Sequence, residues 1–94
     1  MASKNPQGTD ELNELRSIIN QLDEAIIQTI SERMIVSRTV GAVKKLYGLK
    51  IKDPKREKQL QALHKKLAKK HGISYSTLQK IFGLIMQESR NIQK

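Results

Sequence analysis

The sequence predicts an all-α protein of three helices per chain, the first very long, in which two copies intertwine as a helical homodimer. Three observations lead there. Apolar residues recur at helical spacing through the first half of the chain, and no stretch alternates as a strand would. The later segments are bracketed by helix start and stop residues. The first helix is also too long for its own chain to cover.

From Glu11 to about Tyr47 there is no proline, and the only glycine is Gly41. Leu12, Leu15, Ile19, Leu22, Ile26 and Ile30, then Val36, Val40 and Val43, keep the helical period. Asp10 or Thr9 can cap the start, and Gly48 is a natural stop. About 37 residues at ~1.5 Å each make a rod of roughly 55 Å. A compact chain of this size has a radius of gyration of only about 13 Å. The other two helices together are about as long as the first, so its apolar stripe calls for a second chain.

Asp53-Pro54 opens the second helix, since aspartate caps free N–H groups and proline at the first helical position loses nothing by lacking one. That helix runs to about His71 and stops at Gly72. The third starts after Ser74 and carries Leu78, Ile81, Phe82, Ile85 and Ile92. The linkers, "GLKIKD" and "GIS", are short. Residues 1–9 read as a flexible polar lead-in, and 10–94 as one domain.

Ninety-four residues without cysteine leave no disulfide or thiolate metal site to support the core. The opening residues carry no apolar signal region, and no run is long enough to span a membrane, so the expected location is cytoplasmic. A formal net charge of +9 asks for an anionic partner or a solvated basic surface. Tyr47, Tyr75 and Phe82 are too few for a base-stacking platform, which argues against nucleic acid. His64 and His71 lack a third ligand, the serines lack a nearby histidine base, and no glycine-rich phosphate loop is present. No metal or cofactor is expected, and any enzyme here works by positioning and electrostatics.

The polar residues that fall on apolar stripes are the informative ones. With about 100° per residue and Leu15 at zero, Leu22, Ile26 and Val40 lie within about 20°, and so do Arg33 and Lys44. Charge there is costly unless paired. Arg38 and Lys45 point away, and Arg16 lies about 100° round from the seam, where it can serve a cavity of another chain. In the second helix Arg56 falls on the Leu60, Leu63 and Leu67 stripe, with Glu57 at its edge. A guanidinium in the first helical turn opposes the helix dipole, which favours acids there. In the third helix Ser89 is in line with Leu78 and Ile85, and Gln93 follows one turn on. Arg33, Lys44 and Arg56 set against only Asp53 and Glu57 leave a site short of negative charge, which a small polyanion would fill.

Four segments, "LRSIINQLDEAIIQTISERM", "VGAVKKLYG", "IKDPKRE" and "IFGLIMQESRNIQ", together resemble the all-helical class of chorismate mutases over residues 12–93. The resemblance implies an intertwined homodimer with two equivalent sites that convert the chorismate dianion to prephenate on the way to phenylalanine and tyrosine. It further implies that Arg33 and the partner chain's Arg16 hold the substrate carboxylates, with Arg56 in the same cationic cage. Lys44 and Gln93 would hydrogen-bond the ether oxygen, Glu57 and the backbone near Asp53 the ring hydroxyl, and Ser89 would help orient a carboxylate. The rival readings are an isochorismate pyruvate lyase of the same fold, a basic helical dimer that binds nucleic acid or an acidic protein, and a domain of a larger biosynthetic enzyme.

Overall fold

The computed structural model describes residues 6–94. Three α-helices make up nearly all of them: α1 over Pro6–Leu46, α2 over Pro54–His71 and α3 over Tyr75–Gln93. No strand occurs among the described residues. Nor is any described helix long and apolar enough to cross a membrane.

α1 begins five residues ahead of the expected Glu11, so Pro6–Thr9 are helical rather than part of a lead-in. Proline suits a first helical position because its φ is already helical and its missing N–H would have had no intrahelical partner. The rest of the expected lead-in, residues 1–5, lies outside the described residues. At the other end Gly48 takes a left-handed φ of 66°, and the Leu49 N–H returns to the Lys44 carbonyl at 2.7 Å. Glycine adopts that conformation without the Cβ clash other residues meet.

The ends of α2 follow their residues closely. The Asp53 carboxylate accepts from the Arg56 N–H at 3.1 Å, Pro54 takes the first turn, and Gly72 closes the helix at φ 67°. There the Ile73 N–H reaches the Ala68 carbonyl at 2.9 Å, completing the glycine cap. Ser74 caps α3 by accepting from the Thr77 N–H at 3.4 Å.

The chain divides into two units, residues 1–32 and 33–94. In the first, the described part is the leading stretch of α1, with Leu15 56% and Leu22 58% exposed and Ile27 67% exposed. In the second, α2 packs on α3, with the His64 and Phe82 rings 4.0 Å apart and tilted by 32°. Very little apolar surface is sequestered. Among the described residues the one buried hydrophobic side chain is Ala68, and the buried polar ones are Ser37 and Ser89.

Candidate active site

Within the second unit a cavity of about 480 Å³ opens between the C-terminal part of α1, the start of α2 and the end of α3. That volume lies within the range of small-molecule sites. Seven of the eight residues singled out in the sequence line it: Arg33, Lys44, Asp53, Arg56, Glu57, Ser89 and Gln93. The eighth, Arg16, belongs to the first unit and is exposed.

Helical spacing explains how α1 delivers its share. Arg33, Ser37 and Lys44 sit one turn, then two turns apart on one face, and all three line the cavity. Lys44 is held firmly. Its Nζ donates to the Ile51 carbonyl at 2.5 Å and to Gln93 Oε1 at 2.8 Å. An ammonium has three N–H groups, so two fixed carbonyl acceptors leave one to donate into the cavity. The Gln93 amide is fixed at its other end too, where Nε2 donates to the Ser89 carbonyl at 3.2 Å and to Ser89 Oγ at 3.4 Å. Ser89 Oγ in turn lies 2.6 Å from Ser37 Oγ in a buried hydroxyl pair. One hydrogen-bonded chain therefore runs from Ile51 through Lys44, Gln93 and Ser89 to Ser37.

The charges around the cavity do not balance. Arg33, Lys44, Arg56 and Arg90 face Asp53 and Glu57, an excess of two positive charges. Both acids are already engaged. Asp53 caps α2, and Glu57 Oε1 accepts from Arg90 Nη1 at 3.2 Å. Arg33 Nη1 is buried without a hydrogen-bond partner. Burial, and then the like charge of Arg56, pull the Arg33 pKa below its ordinary value, both of them penalties on its charged form. A buried, unpaired guanidinium N–H costs free energy until an anion arrives to accept from it. Arg56 adds to the same field from the N-terminal turn of α2, where the helix dipole is also positive.

Residues 15–94 match the family described as chorismate mutase type II. The chain belongs to that family. Over 85 residues it is 32% identical to the chorismate mutase of Methanocaldococcus jannaschii, covering 90% of this chain and 86% of that one. It is 33% identical over 79 residues to the T-protein of Enterobacter agglomerans, but spans only 21% of that protein's length. A 4-amino-4-deoxychorismate mutase of Streptomyces pristinaespiralis is 26% identical over 85 residues, 90% of this chain and 66% of the relative.

In this chorismate mutase family member two polar lining residues, Ser37 and Arg90, are not among the site residues the sequence singles out. Arg90 follows Phe82 and Met86 at four-residue steps, a spacing that would have placed it on the inner face of the third helix. Ser37 lies one turn beyond Arg33 on the seam of the first helix, but its partner Ser89 is 52 residues away, which no local pattern reveals.

Proposed function

We propose that this protein catalyses the rearrangement of chorismate to prephenate, in phenylalanine and tyrosine biosynthesis, within the cavity lined by Arg33, Lys44, Arg56 and Gln93. The observation that carries the reading is the buried, unpartnered Arg33 Nη1 in a cavity with two surplus positive charges. Chorismate brings two carboxylates, an enolpyruvyl ether oxygen and a ring hydroxyl, so its charge and its acceptors suit this lining.

The reaction breaks the ether C–O bond and forms a C–C bond within one molecule. No atom enters or leaves, and no nucleophile or general base is required. The residues therefore have two tasks: to hold the compact conformer in which the bonding carbons meet, and to stabilise the negative charge that grows on the ether oxygen. Arg33 and Arg56 take carboxylate oxygens. The remaining N–H of Lys44 donates to the ether oxygen, joined by the Gln93 N–H that gives up its long 3.4 Å contact with Ser89 Oγ, and these bonds strengthen as the C–O bond lengthens. Glu57, anchored through one oxygen by Arg90, accepts from the ring hydroxyl with the other, beside the Asp53 backbone. Ser89 orients a carboxylate.

The working form in this proposal is an intertwined homodimer, with Arg16 supplied by the partner chain to the carboxylate cage. The apolar stripe of the first unit supports it, since Leu12, Leu15, Ile18, Ile19, Leu22 and Ile26 are all about half exposed or more. A long helix with such a stripe is stabilised when a second copy covers it.

The test is loss of chorismate absorbance with the product identified, in wild type and in Arg33→Ala. Prephenate from the wild type and almost none from the variant is the expected result. A folded wild type that leaves chorismate untouched would refute the assignment, and release of pyruvate from isochorismate would give the site to a lyase.

A further inference from the structure

Gly41 is the one glycine within the long run of α1 from Glu11 to Leu46, and it is buried. Its φ is not positive, so backbone conformation does not call for glycine there. What calls for it is space. A Cβ built on Gly41 would lie 2.8 Å from Gln93 Cα, 3.0 Å from the Gln93 carbonyl oxygen and 3.1 Å from Gln93 Cβ. Two of these atoms are backbone, which cannot swing aside as the tip of a long side chain can. Gly83, in the middle of α3, offers the contrast: a Cβ there would meet nothing within 4 Å.

The contact sits inside the hydrogen-bonded chain of the cavity. Ser37 and Gly41 lie one turn apart on α1, and Ser89 and Gln93 lie one turn apart on α3. Ser37 meets Ser89 at 2.6 Å, and Gly41 meets Gln93. The next turn of α1 brings Lys44 to Gln93 Oε1. At this crossing the two helices approach closely enough for a side-chain amide to bridge them.

We propose that Gly41 is a positioning residue for catalysis: the absent side chain sets the approach of the last turn of α3 to α1, and so sets where the Gln93 amide stands relative to Lys44 and the reacting ether. This rests on the functional reading above. A methyl group at position 41 pushes the Gln93 backbone outward, lengthens the Lys44–Gln93 bond and turns the amide away. Arg33 and Arg56, on other turns, keep their hold on the carboxylates. The loss then falls mainly on kcat and much less on KM.

The experiment compares wild type, Gly41→Ala, Gln93→Ala and the double variant for kcat, KM and thermal unfolding by circular dichroism. Displacement of a reacting geometry by about 1 Å is on the scale of a 10²-fold loss, which sets the expected fall in kcat for Gly41→Ala. In the Gln93→Ala background the same substitution should change kcat little, because the group it displaces is already gone. Equal losses in both backgrounds would mean that Gly41 acts elsewhere and would overturn the proposal. So would full activity in Gly41→Ala, or unfolding of that variant at the assay temperature, which would make Gly41 a packing residue. If the wild type makes no prephenate, the functional reading fails and this one with it; an active wild type and an equally active Gly41→Ala remove this one alone.

Discussion

The leading and trailing parts of α1 belong to one helix but put their side chains to different use. Before Arg33 the stripe is aliphatic, and polar side chains bond within the helix, as Gln28 does to Glu32 at 3.3 Å and Thr29 to the Ala25 carbonyl at 2.8 Å. From Arg33 onward the same face carries Arg33, Ser37 and Lys44, and the bonds of Ser37 and Lys44 reach residues 7 to 52 positions away. The apolar periodicity runs on across the change. In the proposed dimer, one stretch of the helix face serves assembly and the next chemistry, and the residue types at the inward positions distinguish the two.

Substitutions can break that division of labour from either side. The largest effect is expected in the leading part. Leu22→Asp would place a carboxylate in the stripe assigned to the proposed dimer contact, at a cost of several kcal/mol if it stays unpaired there. Light scattering should then show a monomer, and circular dichroism a reduced helical signal. A folded, active dimer would refute a role for this stripe in assembly.

Next comes Lys44→Ala in the trailing part. Removing one donor to a developing oxyanion costs about 3–4 kcal/mol, or 10²–10³-fold in kcat. Arg38→Ala, on the outward face of the same helix, is the control and should leave kcat unchanged. Comparable losses in both would mean that general surface charge, not the inward face, governs turnover.

Ser37→Ala is a smaller perturbation. It removes the short bond to the buried Ser89 hydroxyl, which keeps only its long contact with Gln93 Nε2, and a lost hydrogen bond of this kind costs about 0.5–1.5 kcal/mol. A lowered Tm with a modest loss of activity is the expected pair of readings, and an unchanged Tm would argue that the hydroxyl pair does not contribute to stability.

The smallest effect concerns pH. Burial, then the charges of Arg33 and Arg56, hold the His64 pKa below its ordinary value. The folded state thus binds the His64 proton less readily than the unfolded one, so stability should fall as pH drops through the ordinary histidine range near 6.5. Urea midpoints between pH 5 and 8 measure this. His64→Gln should flatten that part of the profile, and an unaltered slope would assign the pH dependence to other groups.

Much of the cavity was legible because spacing on a single helix is enough to align Arg33 with Lys44, Leu60 with Arg56, and Ser89 with Gln93. What stayed hidden depends on pairs of helices. The Arg90–Glu57 ion pair joins residues 33 positions apart, and it changes the meaning of Glu57 from an acid free to offset the cations into one already bound. Ser37 reads as an ordinary helical serine until Ser89 is seen against it. The start of α1 is less legible for a different reason: residues 1–9 are polar and read as a lead-in, yet proline is well tolerated in a first helical turn and α1 begins at Pro6.

The bond from Lys44 to the Ile51 carbonyl has a consequence for how such proteins diversify. Surface connections usually absorb inserted or deleted residues with little penalty. Here the turn between α1 and α2 supplies one of the acceptors that aim the ammonium, so its length bears on where that acceptor stands. A single extra residue between Gly48 and Ile51 would shift that acceptor while leaving both helices intact. Lineages should therefore vary this turn far less freely than its exposure suggests, and variation should collect instead in the segment that joins α2 to α3.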